Sequence, residues 1–150
     1  YKGGYALRAA PSAGALYPIE IYPIVHKVDG LQPGLYHYSV EHHSVAFLEA
    51  GDFRERATAG CLYQEMAGQA AVTFALSAIF ARVCWKYEER GYRYALIEAG
   101  HIGQNVYLAA TSLGLGCVGI GAFLDERMNA LLGTDGKEEA VIYCMAIGEK

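Results

Sequence analysis

No apolar run in this chain approaches the ~20 residues that a helix needs to cross a bilayer, and no repeat or low-complexity stretch interrupts it. A membrane-spanning helix is excluded, and a 53% hydrophobic composition with 19% charged residues excludes disorder. Positive charge is also scarce: 12 Lys and Arg against 16 Asp and Glu leave a net charge of −4, with the basic residues scattered. Nucleic acid and anionic membranes are set aside as partners. Cys61, Cys84, Cys117 and Cys144 form no C-x-x-C pair and lie mostly in apolar segments, the pattern of reduced core thiols in a cytoplasmic protein. There is no G-x-S-x-G elbow and no P-loop, which removes serine hydrolases and nucleotide triphosphatases. His26, His37, His42 and His43 have no metal-ligand spacing, and Glu98-x-x-His101 matches only half of a di-iron site, so no metal is expected.

What is present is concentrated in a few stretches. Arg8-Ala-Ala-Pro11-Ser12-Ala13-Gly14-Ala15-Leu16-Tyr17-Pro18 is a loop of small residues running into the apolar Ile19-Glu20-Ile21-Tyr22-Pro23-Ile24-Val25. Pro11 and Pro18 limit its backbone, Ser12 suits a helix N-cap, and residues 12–15 carry too little side chain to keep a flat ligand off the main chain. Further on, Lys86-Tyr87 precedes Glu88-Glu89-Arg90-Gly91-Tyr92-Arg93-Tyr94 and combines proton-transfer groups with aromatics. Free Lys and Tyr side chains titrate near ~10.4 and ~10, so a base here requires burial or a cation such as Arg90 or Arg93. A solvated helix end is the plain alternative.

Glu98, His101 and Asn105 share one face of a long predicted helix, with Gln104 beside them. Such a stripe is solvated, hydrogen-bonded at a helix or subunit interface, or aimed at a ligand. Gly100 and Gly103 inside the same helix imply close approach of another backbone, from this chain or from a second copy. Gly114 to Gly119 superficially offers G-x-G-x-x-G, but it follows a helix and precedes a strand, the reverse of the dinucleotide-binding order. The bare backbone at 119–122 either presents N–H groups to a ligand edge or reflects a bulge or tight packing.

The coarse reading is a meander of strands at 19–28, 35–40 and 44–49, then a helix over 52–68 with Asp52 as N-cap. A buried strand at 71–80 and a helix at 81–89 follow, with a break near Gly91. The longest helix spans 94–113 and stops at Gly114. A strand at 116–123, a helix from an Asp125 N-cap to Leu132 and a last strand at 140–147 complete the chain. This order predicts an α+β domain over residues 1–150, its mixed sheet packed on the long central helix. The chain opens at residues 1–4 without an initiator Met, which suits a processed chain or one domain of a longer protein.

Three motifs occur in order: Arg8-x-x-Pro11-Ser-Ala-Gly-Ala-Leu-Tyr-Pro18-Ile-Glu20-Ile-Tyr22; Lys86-Tyr87-x-x-Arg90-Gly-Tyr-Arg-Tyr94-x-x-x-Glu98-x-Gly-His101-x-x-Gln104-Asn105; and Leu113-Gly-Leu-Gly-x-x-Gly119-Ile-Gly121-Ala122-Phe123. Together they resemble the nitroreductase-like flavoproteins, and among them the SagB-type, thiazole/oxazole-forming dehydrogenases. The resemblance implies an α+β fold with a mainly antiparallel sheet, paired into a homodimer with FMN at the subunit interface. It implies that Pro11, Ser12, Ala13 and Gly14 lie along the flavin ring and that Gly119, Ile120 and Gly121 face its N5 and O4 edge, with Arg8 and Asn105 as further cofactor contacts. Lys86 and Tyr87 match the pair that acts at proton abstraction when a thiazoline or oxazoline in a peptide is oxidised to an azole, with oxygen reoxidising the flavin. A general NAD(P)H-dependent nitroreductase, and a non-catalytic dimerisation or peptide-binding domain, are the competing readings. The family's Arg-Arg-Ser-like phosphate grip and the basic residues beyond its last strand are absent from these 150 residues, which leaves Arg8 and Lys150 as candidate substitutes.

Overall fold

The expected meander forms strands β1 (Ile19–Val25), β2 (Gly34–Ser39) and β3 (Ser44–Ala50) in the computed structural model, which describes residues 7–150. The opening residues 1–4 lie outside the described part. β1 stops three residues earlier than expected because the amides of His26 and Lys27 both donate to the Ala71 carbonyl and turn the chain out of the ladder. Helices α1 (Arg54–Gly60) and α2 (Met66–Gln69) replace the single helix expected over 52–68. Between them Leu62 and Tyr63 take left-handed φ values of 54° and 59°, which a continuous helix cannot hold. Phe53 occupies the N-cap position of α1, and the Asp52 carboxylate accepts the Arg54 amide from one residue further out.

Strand β4 (Val72–Ile79) leads into α3 (Ala81–Tyr87) and the 23-residue α4 (Arg90–Ser112). The break between these helices falls at Glu88, with φ 51°, and not near Gly91. Gly91 lies inside α4, where the absence of a Cβ lets the Cys84 backbone approach: a Cβ there would sit 3.0 Å from the Cys84 Cα. Gly114, with φ 75°, ends α4 as expected. β5 (Gly116–Ile120), α5 (Asp125–Leu132) and β6 (Glu139–Gly148) follow, with Leu124 as the α5 N-cap and Asp125 its first residue. Asp135 shapes the turn into β6: one carboxylate oxygen accepts the amides of Lys137, Glu138 and Glu139, which holds its pKa below the ordinary value.

The strands make one six-stranded sheet in the order β3-β2-β1-β4-β6-β5, and every pairing is antiparallel. Ile19, Leu76 and Ala78 on one face pack with Val83, Ala95 and Ala99 of α3 and α4. Ile24, Ala75 and Cys144 on the other pack with Phe53, Ala57, Met128 and Leu131 from the segment of α1 and from α5. Each large apolar side chain so buried contributes roughly 1.5–3 kcal/mol, so both faces are needed to hold the α+β domain together. Cys61 and Cys144 meet in the second core, and Cys61 together with burial pushes the Cys144 thiol well up, keeping it protonated. All four cysteines are free. His26, just past β1, is buried with Nε2 donating to the Ala67 carbonyl at 2.9 Å, and burial lowers its pKa so that the ring is held neutral.

Candidate active site

The small-residue loop is held in an unusual backbone conformation. Ala13–Ala15 makes one 3-10 turn, and Gly14, Ala15 and Tyr17 adopt φ values of 62°, 53° and 48°. A left-handed conformation costs a non-glycine residue about 1–2 kcal/mol, so Ala15 and Tyr17 persist only because their surroundings hold them. The Tyr17 amide donates to Ser12 Oγ at 2.9 Å, its hydroxyl accepts the Arg8 amide at 3.2 Å, and the Arg8 guanidinium lies 4.2 Å over its ring. Arg82 from α3 donates to the Tyr17 carbonyl at 3.3 Å and to Glu20. Pro11 is exposed, whereas Ala13 packs on the core formed with α4.

Lys86 and Tyr87, adjacent at the end of α3, bring their side chains onto Gly14. A Cβ at Gly14 would lie 2.8 Å from the Tyr87 hydroxyl and 3.0 Å from Lys86 Nζ. The ammonium stands 5.3 Å from the centre of the Tyr87 ring, and the same ring meets Tyr94 edge-on at 5.0 Å. The loop and the Lys86-Tyr87 pair, 72 residues apart in the chain, thus form one surface. Arg90 and Arg93 instead line a depression of about 720 Å³ along the start of α4, with Glu89, Leu96 and Ile97.

Beneath the loop lies Glu98, only 3% exposed. Burial raises its pKa, while the Ser12 hydroxyl, Arg8 and His101 oppose the rise by stabilising the carboxylate. Glu98 therefore turns inward, under the loop, whereas His101, Gln104 and Asn105 are exposed on α4. The predicted stripe is divided: its first member supports the loop, and Asn105, exposed, makes no side-chain hydrogen bond among the described residues.

The glycine stretch at 116–122 is divided in the same way. The Gly119 amide donates to the Tyr107 hydroxyl at 2.6 Å, and a Cβ at Gly119 would collide with the Tyr143 hydroxyl. The same Tyr143 ring lies against Gly103 of α4, 2.9 Å from where its Cβ would stand. Gly103 is thus bare to admit a side chain, not a second backbone, and Gly100 faces open space. Burial, Tyr107 and Cys117 raise the Tyr143 pKa. Ile120 is buried in the core. Beyond it, Gly121 is exposed, a Cβ there would enter open space, and the amides of Gly121, Ala122 and Phe123 have no acceptor among the described residues. Gln64 donates to the Ala122 carbonyl at 2.8 Å and the Leu124 amide to Gly60 at 2.7 Å, fixing this short segment to the loop after α1.

Tyr17, Arg82, Glu98, Tyr107 and Tyr143 therefore shape the site without having been singled out as site residues from the sequence, apart from the Glu98 spacing. Their signal is contact between distant segments, which no local pattern carries. Arg8 and Lys150, the two candidate phosphate contacts, stand at opposite ends of the sheet: Arg8 by Tyr17 ahead of β1, and Lys150 beside Gly116.

A profile of the nitroreductase family matches residues 5–149. The chain belongs to the nitroreductase family. A protein of Methanocaldococcus jannaschii named for this family, MJ1384, is 38% identical over 143 residues, covering 95% of this chain and 71% of its own length. The microcin B17-processing protein McbC of Escherichia coli is 34% identical over 119 residues, 75% of this chain and 43% of that protein. Among solved structures, one from Anabaena variabilis assigned to the nitroreductases has a TM-score of 0.89 at 34% identity, over 94% of this chain and 29% of that one. The E. coli microcin synthetase McbBCD complex with truncated pro-MccB17 bound has a TM-score of 0.86 at 26% identity, over 98% of this chain and 57% of that one. These matches put this nitroreductase-family chain on the SagB-type side of the family. The chain spans less than half of McbC and less than a third of the Anabaena chain. No helix among the described residues is long and apolar enough to cross a membrane.

Proposed function

We propose that this chain is the core of an FMN-dependent oxidoreductase of the SagB type, which oxidises thiazoline or oxazoline rings in a peptide to azoles and works as a homodimer. The observation that carries the reading is the seating of Lys86 and Tyr87 on Gly14, which brings proton-transfer groups to the strip of backbone left bare for a flat ring. The unpartnered amides at 121–123, the solvent-exposed Gly14 and the buried Arg8 Nε, which lacks a partner among the described residues, fit such a cofactor. FMN bound there would supply the two-electron acceptor for a hydride. Lys86, with Tyr87 beside it, takes the proton from one ring carbon while the hydride departs from its neighbour, and the ring becomes aromatic. The amides at 121–123 would stabilise negative charge developing along the flavin edge, as fixed donors do in an oxyanion hole.

A second copy is needed to close the slot. In one protomer β4 and β6 separate β1 from β5 by three strand spacings, about 14 Å, so the loop leading into β1 and the segment leaving β5 attach to different parts of the sheet. Neither the 720 Å³ depression on α4 nor the 1010 Å³ groove at the far end of the sheet is lined by Gly14, Lys86 or Tyr87. In one protomer Gly14 and Lys86 are exposed and Tyr87 is half-buried. Along α4, the exposed Tyr92, Leu96, Ile97 and Leu108, with open space at Gly100, offer an apolar seam for the partner. A peptide substrate accords with the relationship to McbC and to the peptide-bound McbBCD complex.

The purified protein is expected to show the visible absorption bands of an oxidised flavin, and Lys86→Ala and Tyr87→Phe to lower azoline oxidation by roughly 10²–10⁴ with flavin content unchanged. A colourless protein that FMN cannot reconstitute would defeat the flavin reading. Unchanged azoline turnover in both variants would defeat the assignment of Lys86 and Tyr87.

A further inference from the structure

We propose that Arg82 is a positioning residue that locks the left-handed turn at Tyr17 onto α3, with Glu20 as the counter-ion that keeps it there; its consequence for FMN and turnover rests on the oxidoreductase reading above. Three of the four contacts that hold Tyr17 come from the loop itself: the Ser12 hydroxyl on its amide, the Arg8 amide on its hydroxyl and the Arg8 guanidinium over its ring. The fourth comes from outside. Arg82 Nη1 reaches the Tyr17 carbonyl at 3.3 Å, and among the described residues it is the side-chain hydrogen bond that joins α3 to the loop.

The guanidinium is itself held. Glu20 Oε1 pairs with Arg82, and Glu20 Oε2 bonds His37 Nε2 at 2.7 Å, so each carboxylate oxygen has its own donor. The pair sits at the surface, with the Glu20 side chain 17% and the Arg82 side chain 41% exposed, so the carboxylate is the covered partner. His37 belongs to β2, Glu20 to β1 and Arg82 to α3, so the chain of contacts fixes helix, loop and sheet to one another. Arg82 precedes Lys86 by four residues, one helical turn, and both leave the same side of α3. One contact therefore sets the register of both parts of the site: the Tyr17 carbonyl on the loop and, one turn along, the ammonium that lies on Gly14.

The clamp predicts a local effect. In Arg82→Met the amides of residues 15–17 should exchange with solvent at least about tenfold faster than in the wild type, while amides in β4 and β6 keep their protection. FMN affinity should fall about tenfold, the size of one lost charge-assisted contact, and kcat should fall more than KM rises. Arg82→Lys, which keeps a charged donor, should recover most of both. Arg82→Met combined with Glu20→Gln should exchange at 15–17 no faster than Arg82→Met alone, since Glu20 reaches the turn through Arg82 and its other bond, to His37, joins it to β2. If Arg82→Met does not fold, Glu20→Gln leaves the guanidinium in place and is read by the same exchange measurement. Unchanged exchange at 15–17 in a folded variant, or no recovery with lysine, would overturn the proposal. A wild-type protein that binds no FMN would defeat the oxidoreductase reading alone, because exchange still decides whether Arg82 holds the turn.

Discussion

The two bare stretches of backbone, residues 11–18 and 119–123, meet opposite structural requirements. The first is crowded with its own contacts: Tyr17 has partners at its amide, carbonyl, hydroxyl and ring, and Lys86 and Tyr87 lie over Gly14. Its strained conformation is imposed by side chains. The second divides at Ile120. Upstream, Gly119 is filled from below by Tyr143 and its amide is taken by Tyr107; downstream, a Cβ at Gly121 would enter open space and three successive amides are unclaimed among the described residues. Glycine thus serves three purposes here: to permit a left-handed turn at 14, to admit a ring at 119, and to leave donors uncovered at 121.

Substitutions at these glycines test whether the purposes are separate. Gly119→Ala should have the largest effect, because the new methyl meets a ring already confined by Gly103; about 2–3 kcal/mol of stability is lost, seen as a fall in Tm, and Tyr143→Phe in the same chain recovers part of it. Gly14→Ala should cost less stability, about 1–2 kcal/mol for the left-handed residue, yet lower azoline turnover roughly 10–100-fold by displacing Lys86 and Tyr87. If Gly14→Ala lost stability but kept turnover, the crowded loop would be structural only.

The third effect is linked to pH. Burial raises the Glu98 pKa above its ordinary value of 4.5, so the folded protein binds that proton more tightly than the unfolded chain does. The stabilisation from the protonated acid is complete below that value and is lost as pH rises through the folded pKa. Glu98→Gln should therefore gain in Tm relative to wild type as pH is raised from acid to neutral, by thermal melts across that range, and a constant difference would show that the carboxyl under the loop does not titrate abnormally. The smallest effect belongs to Gly121→Ala, expected within about 0.5 kcal/mol of wild type because its Cβ enters open space. A large loss there would mean that the second stretch is packed against a partner protomer.

Hydrophobic runs located all six strands to within a few residues, and Gly114 marked the end of α4, since burial and chain reversal leave local traces in residue type. Residues 62–63 did not: Leu and Tyr seldom adopt left-handed φ, so nothing in their identity announced the break between α1 and α2. Gly91 misled for the opposite reason, since its glycine admits the Cys84 backbone and the helix runs through it. At the site, residue chemistry and the resemblance together singled out Lys86-Tyr87 and the loop as candidates. Their meeting at Gly14, the support from Glu98 and the Arg82 contact depend on segments brought together by the sheet, which spacing cannot reveal. The expected ligand-facing role of Gly119 depended on a free amide, and that amide is turned inward to a tyrosine 12 residues upstream.

Tyr143 reaches from β6 to both Gly103 and Gly119, and that reach has an evolutionary meaning. Three positions 16 and 24 residues apart must vary as one: neither glycine can acquire a side chain while the ring remains, and once the ring is lost both are released from the constraint. A substitution that removes the ring at 143 is therefore the change that would free both glycines at once.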